Sequence, residues 1–330
     1  MPNMTTCCGV SRKPTSFCIA FSSILLGGIL SQPAAAQQIS IMETAPVATY
    51  QKPASAADRA AARRHIARGD DLAAHGSDWD VIAAEYRKAL QRDPASAEAH
   101  YDLANSLHDG DQIDACILEY QQAIHLDMPD PAGVAHNPVQ TADAYRQLGD
   151  IRRDKKQLIS AVANYRASLK LAPNDAPTHE SLAGALFGRE LYTNSAAEYQ
   201  TALRLAPNRT KENLAAFHTK YGNCLDQLKQ YEAAATEYRT AVRLMPNSDV
   251  PHFDLACELE ILGHSAEALR ECREAIRLNP GDAEYYDELG VSLYRSGRHE
   301  EARIEWRKVL RMGDADAADR AREELQEYGA

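Results

Sequence analysis

Residues 215–248, AAFHTKYGNCLDQLKQYEAAATEYRTAVRLMPNS, run without a gap into residues 249–282, DVPHFDLACELEILGHSAEALRECREAIRLNPGD. Set one above the other, Tyr221-Gly222 lies over Leu255-Ala256, Leu225 over Leu259 and Ala234 over Ala268. Tyr238 then lies over Cys272, Ala241 over Ala275, Leu244 over Leu278 and Pro246 over Pro280. A fixed period of 34 residues with apolar groups at fixed places predicts a solenoid of stacked helix pairs. No strand-like alternation of any length competes with it, so the chain reads as all-α.

The pattern extends outward from this stretch. An aromatic recurs in the second half of each unit at Tyr86, Tyr120, Tyr165, Tyr199, Tyr238 and Trp306, with Cys272 in its place once. The steps are 34, 45, 34, 39, 34 and 34, which marks two insertions, roughly Pro131 to Thr141 and Thr210 to Leu214. Both read as extensions of a first helix, because Asn137-Pro138 sets a capping Asn before a first-turn Pro.

These residues resemble the tetratricopeptide repeat family. Its Leu-Gly pair is seen at Leu148-Gly149, Tyr221-Gly222 and Leu289-Gly290, with Leu103-Ala104, Leu182-Ala183 and Leu255-Ala256 as variants. Its second-helix small residue is seen at Ala161, Ala234, Ala268 and Ala302, with Cys116 and Ser195 substituting. Ala89, Ala123, Ala202, Ala241 and Ala275 hold the next small position, and Pro94, Pro173, Pro207, Pro246 and Pro280 close the units. About seven units result, near 63–96, 97–130, 142–175, 176–209, 215–248, 249–282 and 283–316. The first is irregular, with Gly69-Asp70 replacing the pair. The second has Met128 before Pro129, the third has Arg152 at an apolar position, and the last has Asp314 for Pro. The resemblance implies a right-handed α-solenoid. A polar helix over residues 315–330, with Ala318, Ala321, Leu325 and Tyr328 on one stripe, is expected to cap its end.

Composition supports a packed protein: 45% of the 330 residues are hydrophobic. Residues 1–36 read as an export signal: Arg12 and Lys13, an apolar run from Phe17 to Leu30, and small residues at Ala34 and Ala36 before Gln37. The run is short for a membrane span, so no stable span is expected once the leader is removed; an uncleaved anchor is the alternative. Residues 37–57, rich in Ala, Pro, Thr and Ser, read as a flexible tether before an array over 58–316. Loss of Arg12 and Lys13 with the leader takes the formal charge from −11 to −13, which argues against nucleic acid as a partner.

Chemistry is sparse. There is no phosphate loop, no HExxH and no nucleophile elbow. His100, His179, His218 and His252 hold one position in successive units, with Tyr145 and Tyr286 in others. Equivalent positions on packed helices lie roughly 8–10 Å apart, too far to share an ion, so no metal is expected, and no cofactor. Cys116, Cys224, Cys257 and Cys272 form no CxxC pair; buried thiols are expected, with a Cys224–Cys257 or Cys257–Cys272 bridge as alternatives.

The resemblance implies a concave groove lined by first helices. The groove positions are Tyr101, Asn105, His108, Arg146, Asp150, Arg153, Thr219, Asn223 and Phe253. The amides of Asn105 and Asn223 suit a peptide backbone. Tyr101 and Thr219 stand where some family members place the first Lys of a carboxylate clamp, so that clamp is not carried over. The expected function is a non-enzymatic scaffold that binds a protein or peptide in the groove. It is expected to be exported, periplasmic if the cell is a Gram-negative bacterium, with a role in cell-envelope assembly. A self-assembling spacer and an enzyme with an unrecognised site are the alternatives.

Overall fold

The computed structural model describes residues 54–127, 137–206 and 209–328. The leader, the tether up to residue 53, Met128, Pro129, Pro207, Asn208 and residues 131–136 lie outside the described residues. Fifteen helices and no strand occur among those described: α1 (Ala56–Ala74), α2 (Trp79–Arg92), α3 (Ala97–Asp109), α4 (Ile113–Leu126), α5 (Pro138–Asp154), α6 (Leu158–Leu171), α7 (Ala176–Phe187), α8 (Tyr192–Leu205), α9 (Lys211–Gln227), α10 (Tyr231–Leu244), α11 (Asp249–Ile261), α12 (Ser265–Leu278), α13 (Ala283–Arg295), α14 (His299–Val309) and α15 (Ala315–Tyr328). They fall into two compact units that divide after Gln140. Odd-numbered helices are the first of each hairpin and even-numbered helices the second. Helix α1 starts two residues inside the stretch read as tether, where Ser55 caps it by accepting from the Asp58 amide.

The sequence dictates each hairpin locally. In Asp93-Pro94-Ala95-Ser96 the Ser96 amide donates to the Asp93 carbonyl (3.2 Å), with Pro94 second in the turn, where its fixed φ belongs. Ser96 then caps α3 by accepting from the Ala99 amide (3.2 Å). Ala172-Pro173-Asn174-Asp175 repeats the arrangement, with Asp175 capping α7 at the Thr178 amide (3.1 Å). So the proline that ends one repeat also sets the start of the next.

The two insertions lengthen first helices. Helices α5 and α9 have 17 residues, against 13 for α3, α11 and α13. Asn137 accepts from the Gln140 amide and Thr210 from the Asn213 amide, each capping the extended end.

Within a hairpin the two helices close up at the Leu-Gly position. A Cβ at Gly149 would lie 2.5 Å from the Tyr165 ring, and at Gly222 2.7 Å from Tyr238. A Cβ at Gly69 would likewise lie 2.5 Å from Tyr86. Gly69 is therefore the small residue of the first unit's pair and Asp70 the residue after it, not a replacement of the pair. One more residue separates Gly69 from Tyr86 than separates Gly149 from Tyr165 or Gly222 from Tyr238, which hid this register.

The core runs across repeat boundaries. Tyr199, Phe217, Cys224, Tyr238, Leu255 and Leu259, from α8 to α11, share one buried cluster. A second joins Cys272, Leu289, Trp306 and Val309 to Ala317 and Ala321 of α15. Helix α15 caps the last hairpin: Arg320 binds Asp287 (3.1 Å) and Glu284 (3.1 Å), and the Tyr328 ring lies 4.4 Å from that of Tyr294. No described helix is long and apolar enough to cross a membrane.

Candidate protein-binding face

In the unit of residues 54–140, Tyr101, Asn105 and His108 follow one stripe of α3. Tyr101 is half-buried with its ring 5.9 Å from Tyr120, and His108 is exposed. Asn105 accepts a hydrogen bond from the Tyr120 hydroxyl through Oδ1 (2.6 Å).

In the unit of residues 141–328 the stripe of α5 is a charge chain. Arg146 binds Asp143 (Nε to Oδ1, 2.9 Å) and reaches Asp150 (3.4 Å). Arg153 binds Asp150 (3.0 Å) and Asp154 (3.3 Å). Ser181 of α7 adds a contact to Asp150 (3.4 Å), beside the Tyr165 hydroxyl (2.8 Å). On α9, Asn223 accepts from the Tyr238 hydroxyl (2.7 Å), and Thr219 donates to the Ala215 carbonyl (3.1 Å). Phe253 of α11 is buried against Tyr285, with ring centroids 4.8 Å apart.

The tyrosine bonds follow one rule. The second-helix Tyr hydroxyl donates to the residue after the small position: Tyr86 to Asp70 (2.8 Å), Tyr120 to Asn105, Tyr165 to Asp150 and Tyr238 to Asn223. The amide oxygens of Asn105 and Asn223 are thus already engaged inside their own hairpins. Where the second-helix residue has no hydroxyl, the partner is apolar: Cys257 with Cys272, and Val291 with Trp306. Gly184 sits opposite Tyr199, which leaves that place on the face without a side chain.

Sequence reading missed Glu180 of α7. Burial alone would raise its carboxyl, but Arg209 and Lys220 (3.1 Å) hold it below the ordinary range. The Arg209 guanidinium also lies 4.7 Å over the Phe217 ring. It also missed Asp102 and Asp254. Both are half-buried and hold the position just before the Leu-Ala pair. Burial pushes the Asp102 carboxyl up to about 7, with Asp70 and Glu98 adding repulsion. Burial also pushes Asp254 up to about 7, helped by Asp226. Among the described residues no cation pairs with either. The repeated Asp-Leu-Ala at 102–104 and 254–256 was the available signal.

The histidines are taken up within the repeats. Nδ1 of His100, His179, His218 and His252 lies 2.6–2.7 Å from Glu119, Glu198, Glu237 and Glu271 respectively. His65, which the longer first turn hid, meets Glu85 at 2.9 Å. The four cysteines among the described residues are buried, and none of them is in a disulfide. Burial lifts the Cys116 thiol to about 12 and the Cys224 thiol to about 11.

Models of the tetratricopeptide repeat match residues 142–175, 215–248 and 253–319. Among solved structures, PilF of Pseudomonas aeruginosa is 19% identical, over 69% of this chain and 96% of its own, with a TM-score of 0.52. YrrB, described as a TPR protein with an unusual peptide-binding site, is 21% identical over 62% of this chain and 97% of its own, with a TM-score of 0.51. At these identities the likeness is one of fold. No curated protein matches the chain. The matched residues, and the helix hairpins they form, are tetratricopeptide repeats, and all of them lie in the unit of residues 141–328.

Proposed function

We propose that this chain is a non-enzymatic scaffold that binds a protein or peptide on its first-helix groove, and that the bound segment is basic. Tetratricopeptide repeats in general serve protein–protein interaction. One observation carries the choice of a basic segment. The groove cations Arg146, Arg153, Arg209 and Lys220 are each tied to carboxylates, whereas Asp102 and Asp254 have none. A lysine or arginine from a partner would restore the ionised form that burial disfavours, so binding and charge relief coincide. A cleft of about 630 Å³ beside Tyr294 and Tyr328 has its arginines Arg298 and Arg303 paired with Glu301 and Glu300. It presents no nucleophile beside a base, which favours a scaffold over an enzyme.

The test is fluorescence anisotropy with matched basic and acidic peptide libraries. Basic peptides should bind, and Asp254→Lys or Asp102→Lys should weaken binding at least tenfold. Equal binding of acidic peptides, or indifference to both reversals, would refute the reading. Export to the periplasm of a Gram-negative cell, in a role in envelope assembly, rests on Arg12 to Ala36 alone. Expression there with mass spectrometry of the mature N-terminus checks it; a chain still starting at Met1 counts against export.

A further inference from the structure

The histidine of each hairpin does more than meet its own glutamate. In three repeats the second ring nitrogen faces the carbonyl of the proline that closes the preceding repeat. Nε2 of His100 lies 3.2 Å from the Pro94 carbonyl, and His179 and His252 lie 3.1 Å from those of Pro173 and Pro246. In the seventh unit Tyr286 stands in place of the histidine, and its hydroxyl donates to the Pro280 carbonyl (3.3 Å). The position is a staple between one repeat and the next, made either by an imidazole or by a phenol.

The two versions differ in one respect. A phenol donates at any physiological pH. An imidazole with an acceptor at each nitrogen has to donate twice, and only the doubly protonated ring can do so. His252 is the most enclosed of the set, with its side chain 7% exposed. Burial works against its charge, but the Glu271 carboxylate, the Pro246 carbonyl and Glu274 outweigh that and raise its pKa. Glu271 and Glu274 both belong to α12, and Glu274 is itself bound to Arg277 (2.6 Å); from the α10–α11 turn comes the uncharged Pro246 carbonyl. On its own helix, Asp254 lies two residues on.

We propose that the seam between the fifth and sixth repeats is a protonation-controlled joint, closed while the His252–Glu271 pair keeps its extra proton and loosened when that proton leaves. The proton belongs to the pair: shared toward Glu271 or held on the ring, it leaves Nε2–H free to donate to Pro246. Once it is lost, one ring proton faces two acceptors, and either the partly buried Glu271 carboxylate or the Pro246 carbonyl loses its bond to the ring. A basic group whose folded pKa is raised stabilises fully below its unfolded pKa, about 6.5, and that contribution fades as pH rises through the folded pKa. The joint therefore tightens on acidification and loosens in mild alkali. Phe253 and Asp254 follow His252 directly, so the loosened seam carries the adjacent face with it. The inference does not depend on what the groove binds.

The test is a pH titration of the full chain by histidine-selective NMR, with amide exchange of α11 normalised for intrinsic rate. His252 should titrate above the ordinary value of about 6.5, and α11 protection should fall about tenfold from pH 6 to pH 8.5. His252→Tyr, which copies the seventh repeat, should keep the protection seen at pH 6 and remove its pH dependence. Asp254 also favours its protonated form in the fold, so both chains are compared in an Asp254→Asn background. Should His252→Tyr not fold, the wild-type midpoint alone decides. A His252 midpoint at or below 6.5, or an equal pH dependence in wild type and His252→Tyr, overturns the proposal.

Discussion

Alanine in place of Gly290 should destabilise the last repeat, while the same change at Gly222 should not. Both glycines sit where a first helix crosses its second. An added Cβ at Gly290 would lie 2.4 Å from Nε1, 2.7 Å from Cδ1 and 2.8 Å from Cε2 of Trp306. At Gly222 it would lie 2.7 Å from Cε1 of Tyr238 and 3.0 Å from Cδ1 and Cζ. Optimal carbon contacts are about 3.5–4.0 Å, so each ring has to retreat by about 1 Å. Alanine is worth up to about 1 kcal/mol over glycine in a helix interior, and overpacking a core costs about 1–3 kcal/mol. What decides the balance is whether the ring can move. The chain already pairs alanine with tyrosine, at Ala104 with Tyr120 and Ala183 with Tyr199, so Gly222→Ala has a known solution and should fall within about 0.5 kcal/mol of wild type. No repeat pairs alanine with tryptophan. Trp306 is fully buried, with Tyr294 and Tyr328 at its side, so Gly290→Ala should lose about 1–2 kcal/mol. Repeat arrays need not unfold in one step, so amide exchange of α13 and α14 is the suitable assay. A loss of that size accelerates exchange about 5–30-fold. Exchange in Gly290→Ala as slow as in Gly222→Ala would refute the reasoning.

Three further predictions concern single contacts. Tyr165→Phe removes a hydrogen bond to a carboxylate and should cost about 1.5–3 kcal/mol, whereas Tyr238→Phe removes one to a neutral amide and should cost about 0.5–1.5 kcal/mol; urea unfolding measures both, and a larger loss for Tyr238→Phe would count against the assignment. Lys229 holds φ +59° in the α9–α10 turn, so Lys229→Gly should raise stability by about 1 kcal/mol, read as a higher melting temperature; a lower one would mean that the lysine's packing matters more. Burial already raises the Asp287 carboxyl against the pull of Arg320, so Arg320→Ala should raise it further. An acid with a raised folded pKa destabilises as pH climbs above its unfolded value, so α15 in this variant should lose exchange protection at pH 8 and recover it near pH 5. Equal protection at the two pH values would be the contrary result.

What the sequence makes legible follows from what it repeats. The steps between Tyr86, Tyr120, Tyr165, Tyr199, Tyr238 and Trp306 are local facts, and they carry the helix pairs and the two lengthened first helices with them. His65 escapes the pattern because a single extra residue in the α1–α2 turn displaces it, and no periodicity survives such a slip. Asn105 and Asn223 read as free amides because their partners, Tyr120 and Tyr238, lie 15 residues away on the other helix. Phe253 reads as presented to a ligand because its cover, Tyr285, belongs to the next repeat. Each of these misses is a contact between two helices, which the spacing along one helix does not contain.

The same logic separates structural from specific residues. The place after the small residue is consumed by the tyrosine hydroxyl in four hairpins, and the histidine place by glutamate in five. A polar group at such a place is explained by the fold and says nothing of a ligand. The place before the Leu-Gly pair is different. It holds Asp102, Gln147, Ser181, Lys220, Asp254 and Glu288 in turn, with no common partner. Ser181 and Lys220 bond to groups already present, Asp150 and Glu180. Asp102 and Asp254 do not, and their ionised forms carry a cost that nothing among the described residues removes. In the reading proposed above, a scaffold that keeps such a cost once in each unit, while the arginines and the lysine named with them are paired within the fold, would receive positive charge from a partner.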